Sequence, residues 1–367
     1  MPHACPIGTL DPPLTGLAGA LLAFKLRTRR QLLLWRAWRK RGELRALHDR
    51  TAQIAHQDVL CFLCVRNEAA RLPHFLRHHR ALGVRHFLAV DNASTDGSAD
   101  LLLDQPDVSL WTTGASYKAS RFGMDWLTWL MMRHGSGHWC LTLDADELLI
   151  YPYWQTRPLP ALTDWLDTQG RDSFGALTVD MYPEGPVSEG DVGPGDDPTD
   201  HLGWFDAGNY QVQVQPRMRN LWVQGGARAR AFFADAPRRA PTLNKTPLVR
   251  WHWRYAYVNS THALLPPRLN QVYATEWGRA DLRHPPAHQI PARDHRAFRR
   301  REGPRPAFRQ RCPICCLLRP PDRQPGVAYA GVHPLHRLAT DGGFGPDVAG
   351  RLDMTEPHSG PRGRRWA

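Results

Sequence analysis

The chain has 367 residues, 42% of them hydrophobic, enough to build a sizeable core in one large domain or two modest ones. Its formal charge of +12 is unevenly placed: residues 283–367 carry 16 Arg, no Lys and 7 acidic residues, a surplus of +9 that leaves only +3 for residues 1–282. The main body is therefore nearly balanced, so the basic total says little about a partner, and no nucleic acid is expected among the partners of the leading reading.

Residues 1–56 divide into a Pro-rich start and a basic segment, about 20–50, in which Leu and Trp recur among Arg at helical spacing. Such a helix packs its apolar stripe on a neighbouring domain, or rests as a basic amphipathic helix on an anionic membrane surface. No run reaches the roughly 18–20 apolar residues needed to span a bilayer. The short run Leu14–Phe24 has its positive charges behind it, the reverse of a secretory signal. Cys5, Cys61, Cys64, Cys140, Cys312, Cys315 and Cys316 form an odd, scattered set, not a disulfide framework. A cytoplasmic location is expected, with peripheral contact at the inner face of the plasma membrane.

From residue 57 the pattern becomes regular. Val59–Val65 is a continuous apolar run, as in a parallel strand buried on both faces, so Cys61 and Cys64 point to opposite sides. A helix is predicted over Ala69–Leu82 with Gly83 as its stop. A second strand, His86–Val90, leads into Asp91-Asn-Ala-Ser-Thr-Asp96-Gly97; Ser98–Leu103 is helical, Val108–Thr112 a third strand and Arg121–His134 a long helix. A fourth strand ends in Asp144-Ala-Asp146-Glu147. This alternation predicts an α/β fold: an open, mostly parallel twisted sheet flanked by helices, with its ligand at the carboxyl edge.

The acidic strand end carries chemistry. Asp144 and Asp146 project the same way from a strand, with Glu147 on the opposite face. Two same-side carboxylates repel, and a divalent cation relieves that repulsion while bridging to phosphate. A metal–diphosphate site is therefore expected there, with a polar turn after a buried strand as the alternative that the motif alone leaves equally open. Asp91 and Asp96 also follow a buried strand. Asp91, directly at the strand end, is placed to accept hydrogen bonds from a base or ribose, while Asp96 has helix capping as its alternative.

Cys64-Val-Arg66-Asn67-Glu68-Ala69, Val90-Asp91-Asn-Ala-Ser-Thr-Asp96-Gly-Ser98 and Leu143-Asp144-Ala-Asp146-Glu147 together resemble family 2 glycosyltransferases of the GT-A fold, in particular a bacterial subgroup. The resemblance covers about residues 57–275. It implies a GT-A domain over 57–280, with a Rossmann-like nucleotide-binding half and an acceptor half. It further implies sugar transfer from a UDP-, GDP- or TDP-sugar to a hydroxyl of a glycan, lipid-linked or protein acceptor, inverting, in cell-surface polysaccharide or glycoconjugate synthesis. The implied nucleotide-sugar residues are Arg66, Asn67, Glu68, Asp91, Asp96 and Asp144; the implied ligands of Mg²⁺ or Mn²⁺ are Asp144, Asp146 and His262. Asp180 is the candidate general base, with Glu147 behind it. The QxxRW element of processive synthases is missing, which argues against a membrane-spanning polymerase.

In the acceptor half, Phe174–Pro183 reads as a returning strand and Glu184–Asp200 as a Gly/Pro/Asp loop able to act as a lid. Arg217, Arg219, Arg228 and Arg230 alternate as if on an exposed strand, and Lys245–Trp253 is a strand leading towards His262. Residues 281–367 change character: they are rich in Arg and Pro and lack apolar periodicity. A shifted reading frame and a genuine disordered basic tail are both open for them. Two rival functions remain, a nucleotidyltransferase on the same sheet and a non-enzymatic nucleic-acid binder. The first normally needs a Gly-rich loop after the first strand, absent at Val65–Glu68; the second leaves Asp91, Asp144 and Asp146 without a purpose.

Overall fold

A computed structural model describes residues 16–184, 192–206 and 209–272. The Pro-rich start, Cys5, Cys312, Cys315, Cys316, the 281–367 tail and part of the 184–200 loop lie outside the described residues. The elements in order begin with α1 (Gly16–Lys40), β1 (Arg45–His48), β2 (Val59–Val65), α2 (Leu72–Leu82) and β3 (Val84–Asp91). They continue with α3 (Ser98–Leu103), β4 (Val108–Thr112), α4 (Met124–Leu130), β5 (Trp139–Thr142), α5 (Leu159–Thr168) and β6 (Ser173–Leu177). The last part holds β7 (Met181–Tyr182), α6 (Pro198–His201), β8 (Trp204–Phe205), β9 (Tyr210–Gln215) and β10 (Asn220–Gly225). It closes with α7 (Gly226–Phe232), β11 (Asn244–Arg250), β12 (Ala256–Tyr257) and β13 (Leu264–Leu265).

The core is a seven-stranded sheet in the order β1-β4-β3-β2-β5-β11-β6. β4, β3, β2 and β5 are mutually parallel, so their carboxyl ends lie on one edge. β11 is antiparallel to both β5 and β6, which turns β6 back into the parallel direction. The expected α/β class with a mostly parallel sheet is what the structure has. β1 was not foreseen: the basic helix stops at Lys40, and four residues pair antiparallel with β4 as an edge.

Alternation along β2 builds two apolar layers. Val59, Cys61, Leu63 and Val65 join the core under α2 and α5, while Leu60 and Phe62 join the layer under α4, with Cys64 packed against it. Burying each Leu or Phe contributes roughly 1.5–3 kcal/mol. α1 docks on the second side. Leu33 and Ala37 are buried, Arg36 Nη2 donates to Asp125 Oδ2 of α4 at 2.8 Å, and Trp126 Nε1 donates to Glu43 Oε2 at 2.8 Å.

Several boundaries differ from expectation. α2 begins at Leu72 rather than Ala69 because Asn67 has φ 57° and the following residues turn. The helix expected over Arg121–His134 begins only at Met124, after Arg121, Phe122 and Gly123 all adopt left-handed φ, and its last turn widens to a π-turn over Met131–Gly135. Arg228 and Arg230 are not on an exposed strand but on α7, where Arg228 is buried.

Gly83 shows why the α2 stop is glycine. Its φ is 102°, its N–H donates to Arg80 O at 2.9 Å, and an added Cβ would stand 2.9 Å from the ring of Pro160. Gly83→Ala is expected to cost about 1–2 kcal/mol, a fall of several degrees in Tm, measured by urea and thermal unfolding. An unchanged midpoint would show that the α2–α5 contact yields freely.

Candidate active site at the carboxyl edge of the sheet

Three loops leave three adjacent parallel strands, and short hydrogen bonds fix the loops after β2 and β3 to each other. After β2, Asn67 N–H donates to Ser94 Oγ at 3.0 Å and Asn67 Oδ1 accepts from Thr95 N at 2.8 Å. Glu68 N donates to Ser98 Oγ at 2.8 Å, and Ala69 N donates to Asp96 Oδ2 at 2.9 Å. The loop after β2 is therefore laced to the loop after β3. Asp96 is the lace: its other oxygen accepts from Ser98 N at 3.0 Å and Ser98 Oγ at 2.6 Å, at the start of α3. Burial alone would raise its carboxyl, but bonds from Ser98 and Ala69 outweigh this and hold it below the usual value. Asp96 thus ties the loop after β2 to the first residue of α3, whose N-cap position is Gly97. Arg66 is exposed at the end of β2, and Glu68 pairs with Arg71 at 2.5 Å.

Asp91 differs from these neighbours. It is the last residue of β3, held in register with Val65 and Thr112, and is 3% exposed. Its Oδ2 accepts from Ser94 N at 3.2 Å, but among the described residues Oδ1 meets no donor. Next to it Asn92 donates to the carbonyls of Thr113 and Ala115, both at 3.0 Å, while its own Oδ1 is also unmet. A buried acceptor without a donor is costly, so Asp91 Oδ1 has the character of a ligand contact. The loop after β4 borders this point. Gly123 packs so closely on Cys64 and Tyr117 that a Cβ there would lie 3.0 Å and 3.2 Å from them.

The acidic residues lie beyond the strand, not on it. β5 ends at Thr142, Leu143 N still donates to Phe62 O at 3.3 Å, and then the chain turns with Glu147 N donating to Asp144 O at 3.0 Å. That turn corrects the expectation drawn from strand alternation. Glu147 does not point away: Asp144, Asp146 and Glu147 each place one carboxylate oxygen within 4.8 Å of the others. Asp144 has 38% of its side chain exposed, whereas Glu147 has none. Both reach a residue that pattern reading passed over. Lys245 Nζ contacts Glu147 Oε1 closely and Asp144 Oδ2 at 3.4 Å. Burial pushes the Glu147 carboxyl up to about 7, opposed by Lys245 and reinforced by Asp144 and Asp146. Lys245 arrives here because β11 runs antiparallel and starts where its neighbours end; a lysine within an apolar strand was the available signal.

Electrostatics tie the two halves of the rim together. Cys64, at the end of β2 between them, has its thiol raised by burial first and then by the charges of Asp144 and Asp91. His262 is near but separate: its Nδ1 donates to Asn244 O at 2.7 Å, one residue from Lys245, and it is not part of the three-carboxylate group. Asp180 follows β6 and is ion-paired with Arg228, while Arg230 pairs with Asp206 at 2.7 Å. The two candidate bases are thus both buried and both paired. No family model matches the chain, and a search of curated proteins gives no significant match.

A second layer holds the acidic turn from behind. His78 Nε2–H donates to Leu149 O at 3.0 Å, and Leu149 N donates to His79 Nε2 at 3.4 Å, with His79 Nδ1–H given to Phe75 O at 2.8 Å. The His79 ring must keep Nε2 unprotonated to accept from Leu149 N, whereas the His78 bond needs only its Nε2–H. Burial lowers His78 to about 4 and His79 well below its usual 6.5. The unfolded chain therefore takes up protons first as pH falls. Stability is intact above about pH 6.5 and is lost towards pH 4, at about 1.4 kcal/mol per pH unit for each histidine. Melting curves from pH 7.5 to 5 are expected to show a falling Tm below 6.5, with a shallower fall in His78→Gln. Because Glu147, raised to about 7, works in the opposite direction over this window, a His78→Gln profile no shallower than wild type is the result that would remove the clamp from the account.

Proposed function

We propose that the protein is a glycosyltransferase that moves a sugar from a nucleoside-diphosphate sugar to an acceptor hydroxyl with the help of a divalent cation. One observation carries the reading: a buried, donorless carboxylate oxygen on Asp91 shares a strand-end rim with the three carboxylates of 144–147. β2 separates their strands, so with strands roughly 4.8 Å apart the two features stand about 10 Å from each other, a span that suits a nucleoside at one end and its diphosphate at the other. Asp91 accepts from the base or ribose, and exposed Arg66 faces the phosphates as a cation at the end of β2. The described residues fit a hard cation. Three carboxylates bring their oxygens within 4.8 Å of one another, and carboxylate oxygen is the donor such ions prefer. Asp144 and Asp146 would hold Mg²⁺ or Mn²⁺, which supplies Lewis acidity to the departing diphosphate.

Glu147, held against the ammonium of Lys245, serves as its anchor in this reading. Asp180, beyond the carboxyl end of β6 on the same edge, is the general base in this reading, with Arg228 orienting it. A nucleotidyltransferase would use the same cation but hand on a nucleotide instead of a sugar, so the products distinguish the two.

The test is a thermal-shift screen of UDP-, GDP- and TDP-sugars with and without Mn²⁺. One donor is expected to raise the wild-type Tm by several degrees in a Mn²⁺-dependent way. Asp146→Ala is expected to abolish the Mn²⁺ dependence. Asp91→Ala should keep the response to Mn²⁺ alone and weaken nucleotide binding by roughly tenfold or more, as for a lost hydrogen bond to a charged group. If no donor stabilises the wild type, the proposal fails.

A further inference from the structure

The outward face of α1 is unlike the rest of the surface. α1 touches the domain through Leu33, Ala37, Leu26 and Leu34, which pack on α4 and on β12 and β13. On the opposite face Leu17, Leu21, Phe24, Leu32 and Trp35 fall in one line along the axis at steps of one or two helical turns, with Thr28 in the turn between Phe24 and Leu32. They are 77%, 60%, 67%, 56% and 50% exposed, and Trp38, 47% exposed, flanks the line. A 25-residue helix is about 37 Å long, so this is an extended apolar ridge and not a scattered set of surface side chains.

Charge decides what fits the ridge. Gly16–Lys40 contains seven Lys and Arg and no acidic residue. Exposed Lys25 and Arg29 lie on one side of the line, exposed Arg27 on the other, and Arg39 stacks over Trp35 at 5.2 Å. Arg41 stacks over Trp38 at 4.0 Å. Indoles with an apolar body and a polar N–H, beside guanidinium groups, suit the boundary between acyl chains and headgroups. With these charges α1 cannot itself cross a bilayer, and among the described residues no helix is long and apolar enough to do so.

We infer that α1 is a membrane-surface docking helix: its Leu17–Trp35 ridge enters the headgroup boundary of an anionic bilayer while its inner face stays packed on the domain. This does not depend on the glycosyl-transfer reading. Its occupant is lipid and not protein because the ridge is straight, flanked by cations on both sides and matched to a planar negative surface.

Co-sedimentation of the full chain with phosphatidylcholine vesicles, and with phosphatidylcholine–phosphatidylglycerol vesicles, tests it. Binding is expected only to the anionic vesicles and to weaken as salt rises. Leu21→Ser with Phe24→Ser, and separately Lys25→Glu with Arg29→Glu, should each cut the bound fraction roughly tenfold with Tm unchanged, since all four side chains are exposed. Wild-type protein that stays in the supernatant with both vesicle types overturns the inference. So does anionic binding that both α1 variants retain, which would assign it to the Arg-rich residues after 281. A change of sedimentation coefficient in the variants without vesicles would assign the ridge to self-association and overturn it as well.

Discussion

The candidate site depends on one buried cation. Three carboxylates within 4.8 Å of each other repel by about 3 kcal/mol per pair at the effective dielectric of a protein site. Lys245 answers part of that cost from the neighbouring antiparallel strand, with its ammonium against Glu147 and within 3.4 Å of Asp144. The pair does two things at once. It gives the fully buried Glu147 a counter-charge, and it sits beside Asp144, which has 38% of its side chain exposed. A site arranged in this way is poised for a positive partner rather than closed on itself.

The sheet topology makes this possible. In a parallel set every strand delivers its exit loop to the same edge, so β2, β3 and β5 bring Asn67, Asp91 and Asp144 together although they are far apart in sequence. The one antiparallel strand on that side contributes its beginning instead of its end, which is how Lys245 and, through Asn244, His262 reach the edge. Asp96 and Ser98 then spend their hydrogen bonds on joining loops, and His78 and His79 hold Leu149 just beyond the acidic turn. The groups that remain unmet, Asp91 Oδ1 and Asn92 Oδ1, mark the part of the rim that the described residues do not complete by themselves.

Much of this was legible from residue order, and the reasons differ by element. Val59–Val65 reads as a doubly buried strand because only such a strand tolerates seven apolar residues in succession, and its two cores confirm the alternation of Cys61 and Cys64. Gly83 reads as a stop because its left-handed φ needs glycine. The acidic turn was misread in detail because alternation holds only while a strand lasts, and β5 ends two residues before Asp144. Lys245 and the His78–His79 clamp were hidden for a different reason. Their partners lie 98 and about 70 positions away, and no local pattern announces a contact of that separation. Arg228 was taken for a surface cation because alternation of Arg with Ala fits an exposed strand as well as a short helix; only the buried Asp180 distinguishes them.

α1 and the rim are linked by a chain of direct contacts. Arg36 of α1 grips Asp125, which has no exposed surface, and Arg121 approaches the same carboxylate at 3.5 Å while donating to Tyr257 O at 2.7 Å. Asp125 opens α4 immediately after the left-handed run Arg121–Gly123, and Gly123 is pressed against Cys64 at the end of β2, between Asp91 and Asp144. Any displacement of α1 relative to the sheet must therefore be absorbed by a segment of consecutive left-handed residues, where little conformational freedom remains for side chains larger than glycine. A chain of contacts thus runs from α1 to the end of β2 through Arg36, Asp125 and Gly123.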